Sequence, residues 1–425
     1  MPVRSGPKAY SRPISPDDWL MLAAPDGLVT EIQVCVEGRG AIDPGALSAA
    51  VAVAADACPG TRLVRRGRRW VDSGTAPAVR VAEAGDFDRA RLDSPLLRSP
   101  LARRRGASCE VILVRGTPAT VIFRAHHAAM DGKGAMFWQA QVFRALRGEA
   151  VEEARSRLTV DDVLAEVAAE LGTDLPPKAP VEQRADWHPP LGELPAGPRL
   201  SLWRRRTIDG NHPAATAKVV REVVRHGGGP GRVLVPVDLR QYLPDLRTTG
   251  AASGSVKVRV EAEDDWGNVQ AGLLTALSEH QYLASQGTRG LLKIPRPVLR
   301  SLVRWLDRQA GKDSKFLVRS GVFDFVACVS HLGAVDLASL CLDGFEATSC
   351  YILGCVTFIP AIDIVECGGR TEITVAWRDG PGAAEAAEAM LDQIEERLSP
   401  SDYRSWDGNR TAREAPAATP PCASS

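Results

Sequence analysis

The amino-acid sequence predicts a mixed α/β protein of two domains. Three observations carry that expectation. The chain has 425 residues, and a chain of that length ordinarily splits into more than one core. Segments with the two-residue period of strands and segments with the period of helices are interspersed, without the strict alternation of a doubly wound sheet. Between them runs a Pro-rich stretch, from Asp174 through Pro176, Pro177, Pro180, Pro189, Pro190 and Pro195 to Pro198. It interrupts any regular element and reads as the connection. The expected division is a first lobe over 1–175, a linker over 176–200, a second lobe over 201–400 and a disordered tail over 401–425. The tail is polar and rich in Pro and Ala, the composition of a segment that buries little.

Taken in order, Glu31 to Gly38 alternates and predicts a strand over 31–37. Asp43-Pro44-Gly45 then opens an Ala-rich run that predicts a helix over 46–57, ended by Cys58-Pro59-Gly60. Apolar runs over 109–114 and 119–125 predict a strand pair, and a helix over 134–146 follows. Val160, Val163, Leu164, Val167, Ala168 and Leu171 lie on one face of a helix over 160–171. Past the linker, strands are expected over 232–237, 254–260, 324–330, 349–358 and 371–377, with helices over 267–284, 296–309 and 383–398.

Composition excludes several function classes. Lys+Arg and Asp+Glu balance at 52 each, so net charge points to no nucleic-acid or anionic-membrane partner. The hydrophobic share of 44% and the charged share of 24% are those of an ordinary globular protein. No apolar run is long enough for a membrane span, and the N-terminus lacks the apolar stretch of a secretory signal. Nine dispersed cysteines without CxxC spacing read as reduced, buried thiols in a cytoplasm, with no metal site expected. No GxSxG elbow, P-loop or GxGxxG follows a predicted strand. Gly227-Gly228-Gly229-Pro230-Gly231 precedes a strand rather than a helix, so it is a loop and not a phosphate cradle.

One stretch carries chemistry. Val121-Ile122-Phe123-Arg124-Ala125 ends in His126-His127, and Asp131-Gly132 follows. The apolar run reads as a buried strand and Asp-Gly as a turn, so two imidazoles stand at the rigid end of a strand with a carboxylate close by. Histidine titrates nearest neutrality and both takes and returns protons. The chain has only seven histidines, two of them here. Alternation points His126 and His127 to opposite sides if the strand persists. Taken alone, the pair also reads as a buried, hydrogen-bonded structural element. Phe137 and Trp138, just beyond, read as core.

The segment resembles the HHxxxDG motif of the condensation-domain superfamily, the acyltransferases that draw on CoA or carrier-protein thioesters. Four further phrases resemble that superfamily in order: the opening from Glu31 to Cys58-Pro59-Gly60-Thr61-Arg62; Leu92-Asp93-Ser94-Pro95-Leu96-Leu97-Arg98; Val235-Pro236-Val237-Asp238-Leu239-Arg240; and Ser330-His331-Leu332-Gly333, where histidine stands in place of the usual asparagine. Thr248-Thr249-Gly250-Ala251-Ala252-Ser253-Gly254 departs from the Asn-rich segment usual there. The resemblance implies two chloramphenicol acetyltransferase-like lobes, each a mixed sheet covered by helices, set in a V as a pseudo-dimer with a central tunnel, and a monomer. It implies His127 as base or positioning group, with His126 beside it mainly structural. Asp131 would face away from the substrates and pair with Arg62. Gly132, lacking a side chain, would bring its N–H toward a tetrahedral intermediate. Ser330 and His331 read first as a loop cap and, as the alternative, as residues that contact the acceptor across the lobe interface.

The implied function is a free-standing condensation enzyme of bacterial secondary metabolism, akin to those of nonribosomal peptide synthesis. It would join an acyl or aminoacyl thioester to an amine or alcohol by direct transfer, without an acyl-enzyme. No cofactor is permanently bound. The donor arrives on a carrier protein's phosphopantetheine arm or on CoA, and Arg103-Arg104-Arg105 and Arg204-Arg205-Arg206 are basic clusters that either meet CoA phosphates or form solvated faces. The alternatives are a lipid or glycolipid O-acyltransferase with a wide apolar tunnel, and a non-catalytic docking platform of a biosynthetic assembly line.

Overall fold

Two large sheets carry the chain in a computed structural model, which describes residues 9–25, 27–102, 106–176, 187–192, 200–284, 289–313, 316, 324–356 and 358–399. The first part runs β1 (Ser11–Pro13), α1 (Pro16–Leu22), β2 (Glu31–Gly40), α2 (Pro44–Ala57), β3 (Leu63–Arg66), β4 (Arg69–Asp72), β5 (Ala78–Glu83), β6 (Cys109–Arg115), β7 (Ala119–His126), α3 (Gly132–Leu146) and α4 (Val160–Glu170). It continues with β8 (Ser201–Asp209), α5 (Ala215–His226), β9 (Gly231–Asp238), β10 (Ser253–Val260), α6 (Trp266–Ser278), α7 (Arg296–Ala310), β11 (Ala327–Val335), β12 (Phe345–Leu353), β13 (Ala361–Cys367), β14 (Arg370–Arg378) and α8 (Ala383–Leu398). The mixed α/β class expected from the sequence is the class observed.

The first sheet has the order β12-β2-β7-β6-β5 and the second β10-β9-β11-β13-β14-β8. A small sheet, β1-β4-β3, stands apart. The lobes are not separated by a single cut in sequence. β12, inside the span 201–400 expected to be the second lobe, pairs antiparallel with β2 along its length and forms an edge of the first sheet. The expected linker lies largely outside the described residues, as does the expected tail.

Local chemistry explains the element starts that matter for the site. Asp43 accepts from the Ala46 N–H at 2.7 Å and Pro44 opens α2, the usual use of a short acidic side chain and a proline at a helix start. Thr159 and Asp162 form a reciprocal capping box on α4. β6 and β7 are buried almost throughout because helices cover one face and Phe87, Leu92, Leu96 and Leu97, with Trp203 and Ala376 of the second sheet, cover the other. On one face of the first sheet, Val121, Phe123 and Ala125 pack with Trp138, Val142 and Phe143 of α3 and Leu47 and Val51 of α2. On the helix-covered face of the second, Val233, Val329, Ile362, Ile364 and Ile373 pack with α5, α6 and α8.

The other faces of the two sheets meet. Trp203 of β8 stacks on Tyr351 of β12 with ring centroids 5.8 Å apart. Arg205 holds Glu37 of β2 at 3.0 Å and lies over the Tyr351 ring. Arg204 and Arg206 are ion-paired with Glu388 of α8. The Arg204–Arg206 cluster is therefore neither a solvated face nor an open phosphate groove; its charges are committed to ion pairs. Arg103–Arg105 lie outside the described residues.

Candidate active site

The two histidines end β7 in very different settings. Strand pairing sets His126 opposite Glu31 of β2. Its Nδ1 accepts from the Ala128 N–H at 3.1 Å, so Nε2 carries the proton and donates to Thr30 Oγ1 at 3.3 Å. Burial pushes its pKa down to about 3, helped by His127 and the Arg296 guanidinium. It is a neutral, fully used imidazole.

His127 lies one residue past the strand and is half-buried. Its N–H donates to the Thr30 carbonyl at 2.8 Å, which fixes the backbone. Its Nδ1 stands 3.3 Å from the Met130 carbonyl oxygen. A carbonyl only accepts, so Nδ1 bears the hydrogen and Nε2 presents a lone pair. This is the tautomer a proton acceptor needs.

Asp131 caps α3, accepting from the Gly134 N–H at 2.7 Å. It is buried, and its partner is not Arg62. Arg240, at the end of the Pro-Val-Asp-Leu-Arg phrase, grips it with Nη2–Oδ1 at 2.9 Å and Nη1–Oδ2 at 3.2 Å. The Ala252 N–H adds a bond to Oδ2 at 2.9 Å. Burial alone would disfavour the charged carboxylate, but Arg240 and these N–H groups hold its pKa below the ordinary value. The expected Arg62–Asp131 pair is thus corrected. Arg62 follows the turn at Pro59–Thr61 and is claimed by Asp72, at 2.7 Å from Nη2, and by Asp56.

The segment that departs from the expected Asn-rich pattern adds the Ala252 N–H to this clamp and accepts from Arg240 at the Gly250 carbonyl, 2.7 Å away. A methyl group on Gly134 would fall 2.2 Å from the Thr249 carbonyl oxygen, and one on Gly60 would fall 2.1 Å from Thr249 Oγ1. Thr248–Ser253 threads between the two glycines and reaches Asp131.

Gly132 is the first residue of α3. A Cβ there would sit 2.9 Å from Leu332 Cδ2 and 3.8 Å from Ile352 Cδ1, so a larger residue would have to push the Leu332 side chain aside. Lys133 then donates to the Leu332 carbonyl at 2.5 Å. On β11, Leu332 packs into the first lobe's core, and Ser330, two residues earlier, shares its face. His331 points from the opposite face, 3.5 Å from Glu366, into a cavity of about 350 Å³ that it shares with Asn211, His212 and Gln270. The structure brings His127, Asp131 and Gly132 together at one place with Leu332 above them; it does not bring His331 or Arg62 there. On the side of His126 opens a larger cavity of about 590 Å³, lined by Leu22, Leu28, Leu97 and Leu101 and by Arg98, Arg296 and Arg300.

Two further residues carry little local mark of a role in the sequence. Arg240 stands in the Pro-Val-Asp-Leu-Arg phrase, and nothing near it points to Asp131. Asp363, on β13, interrupts the apolar run Ile362–Val365; it is 7% exposed, and its Oδ2 has no hydrogen-bond partner. A lone acid inside an apolar strand was the signal available.

No family model matches the sequence, and no curated protein matches it. Solved structures do. The polyketide synthase associated protein 5 from Mycobacterium tuberculosis superposes with a TM-score of 0.58 at 13% identity, covering 93% of this chain and 100% of that one. The starter condensation domain of rhizomide synthetase RzmA, in a singly substituted form with C8-CoA, gives 0.59 at 16%, covering 92% and 95%. The condensation domain of the monacolin K polyketide synthase MokA gives 0.56 at 12%, covering 91% and 96%. The fold is that of a condensation domain. At these identities the likeness concerns the fold, and function has to be argued from the site.

Proposed function

We propose that this condensation-fold protein is an acyltransferase that joins a thioester-borne acyl or aminoacyl group to an amine or alcohol. The observation that carries the reading is His127, whose Nδ1 is committed to the Met130 carbonyl so that Nε2 is left as a base. A thioester is already activated, and the reaction asks the protein for position, a proton acceptor and relief of the developing oxyanion. The acceptor's nitrogen or oxygen attacks the thioester carbonyl, and its proton passes to His127 Nε2. The tetrahedral intermediate collapses by breaking the C–S bond, and His127 returns the proton to the departing thiolate. The N-terminal end of α3, which begins at Gly132, offers its partial positive charge to the oxyanion. Asp131 takes no proton; with Arg240 it holds the loop that aims His127.

The donor in this reading is CoA or a carrier protein's phosphopantetheine arm. The RzmA neighbour was solved with C8-CoA, which supports a thioester of that type here. The reading extends to biosynthesis of the nonribosomal peptide or polyketide kind, in the cytoplasm, with the chain acting as a monomer whose site lies between the two lobes of a V.

A second reading has an observation of its own. Leu332 lies close over Gly132 and Lys133 ties β11 to α3, a closed junction that suits a docking platform as well as an enzyme at rest. The deciding experiment is a mass-spectrometric transfer assay with a panel of acyl-CoA and carrier-bound thioesters against mixed amines and alcohols. Product is expected from the unmutated protein and a loss of roughly 10²–10⁴-fold from His127→Ala, the usual worth of a positioned acid–base group. No product from a folded protein across the panel overturns the enzymatic reading in favour of the platform.

A further inference from the structure

We propose that Asp363 is the acceptor-recognising carboxyl of this site and selects an amine over an alcohol. The inference rests on the acyltransferase reading and specifies which nucleophile it takes.

The argument begins with where the side chain points. Along β13, Ile362 and Ile364 enter the second lobe's core, whereas Val365 enters the first lobe's core. Asp363 alternates with the two isoleucines and so lies on the face turned toward the first lobe. In the parallel pairing of β11 with β13 it stands beside Ser330. Leu332, farther along that face of β11, touches the site at Gly132. Asp363 therefore belongs to the wall that faces the motif.

The chain approaches the histidines from the same place. After β12 the backbone passes Gly354 and Cys355, and Val356 then bridges to Val29 with an N–H···O bond of 2.8 Å. Val29 precedes Thr30, which holds the His127 N–H and the His126 ring. A methyl group on Gly354 would lie 2.7 Å from Asp363 Oδ2, so glycine leaves the carboxyl its position.

A buried carboxyl oxygen without a partner costs on the order of 1–3 kcal/mol, and more when charged. Such an oxygen calls for an explanation, and a ligand that completes it is one. An amine has N–H groups to give both to a carboxylate and to the base, whereas an alcohol has a single O–H that must go to His127. In the transfer step Asp363 accepts an N–H from the acceptor nitrogen and holds it. A second N–H is lost to His127 as the C–N bond forms and the C–S bond breaks. Asp363 is thus a positioning residue.

Burial supports a conditional charge here, lifting the Asp363 pKa to about 7, against the pull of the Gly354 N–H. The groups that face it are the thiols of Cys328 on β11 and Cys355 after β12, both pushed up by burial and by Asp363 itself, together with Ser330 and the register partner Thr374 of β14. None supplies a cation.

The test measures binding without turnover. An aminoacyl N-acetylcysteamine thioester and its hydroxyacyl counterpart are titrated calorimetrically into the His127→Ala protein, with and without Asp363→Asn. The amine probe is expected to bind about tenfold or more weakly when Asp363 is replaced, the worth of one hydrogen bond to a charged group. The hydroxyacyl probe should change by less than about twofold, and the gap between the two proteins should widen as the pH rises through 7. Equal weakening of both probes, no weakening, or no binding of the amine probe overturns the proposal. Because transfer is assayed separately through His127, the acyltransferase reading survives any of these results and fails only on its own assay. Circular dichroism verifies folding, and Asp363→Ser replaces the Asn variant if that does not fold.

Discussion

The two walls of the candidate site are built on opposite terms. On the first-lobe wall the polar groups of the histidine motif are engaged: both ring nitrogens of His126, Nδ1 and the N–H of His127, and both oxygens of Asp131 have partners. On the second-lobe wall Asp363 keeps an oxygen without one. A saturated wall is rigid and fixes direction, while an unsaturated one is completed by what binds. The difference teaches where each kind of mutation should be felt. Changes on the first wall should break geometry, and changes on the second should alter preference.

The largest effect expected is the loss of transfer in His127→Ala, roughly 10²–10⁴-fold at unchanged stability, read by initial rates beside a thermal melt. The contrast with its neighbour sharpens it. His126→Ala should unfold the protein more readily, since it orphans Thr30 Oγ1 and the Ala128 N–H. A melt that ranks the two variants the other way would break the distinction between a working and a structural imidazole.

Next comes the clamp. Arg240→Ala leaves the buried Asp131 without its cation, at a cost of about 3–5 kcal/mol, whereas Asp131→Ala leaves Arg240 still paired with Asp238 at 2.9 Å and should cost less. Urea unfolding should show Arg240→Ala destabilised more than Asp131→Ala and the double variant destabilised by less than the sum, because the two residues form one unit. An Asp131→Ala protein of undiminished stability would show that the carboxylate is not held as the distances indicate.

Legibility in the sequence followed the same division. Elements with a strong local signal were readable: the buried strand pair over 109–114 and 119–125 lies within β6 and β7, and the helices expected over 160–171, 296–309 and 383–398 match α4, α7 and α8 closely. Elements defined by long-range pairing were not. β13 and β8 take their strand character from neighbours across the sheet, and β8 carries three consecutive arginines that read as surface until Glu37, Glu372 and Glu388 are brought to them. The strand expected over 349–358 is Phe345–Leu353, and beyond Gly354 and Cys355 the pairing continues only as an isolated bridge of Val356 to Val29. At the site, the histidine motif was legible because its chemistry is contiguous. The partner of Asp131 was not, since Arg240 is 109 residues away and no local spacing could favour it over Arg62.

A pH experiment sharpens the contrast between the two carboxylates. Asp131 has a lowered pKa, so its stabilising contribution is present above the ordinary carboxylate value and is lost as the pH falls through the folded one. Asp363 has the opposite sign. Its pKa rises from 3.8 to about 7 on folding, so the folded protein keeps a proton that the unfolded chain has released. Stability should therefore decline as pH rises from about 4 to about 7, by roughly 1.4 kcal/mol per unit. Melting at about pH 5 and about pH 8 should show a decline in the unmutated protein that Asp363→Asn removes. An equal decline in both proteins would mean that Asp363 is ionised throughout.

A smaller effect is expected where the walls touch. Gly132→Ala drives a methyl group to 2.9 Å from Leu332 Cδ2, an overpacking worth about 1–3 kcal/mol. Leu332→Ala should relieve it in the double variant. If Leu332→Ala alone raises transfer, β11 obstructs the passage; if transfer is unchanged, Leu332 is only packing.

The smallest effect belongs to Arg62, and it is the sharpest test of the corrected pairing. Its guanidinium is bound by Asp72 and Asp56, and the Arg62 side chain remains 13% exposed, so solvent screens part of the interaction. Arg62→Ala should cost about 1 kcal/mol or a little more and leave transfer within about twofold, since its ion pairs lie with Asp72 and Asp56 and not with His127 or Asp131. The double-mutant cycle of Arg62→Ala with Asp131→Ala should give no coupling beyond about 0.5 kcal/mol, whereas the cycle with Asp72→Ala should give more. Strong coupling between Arg62 and Asp131 would restore the pairing the motif implied and remove Arg240 from the clamp.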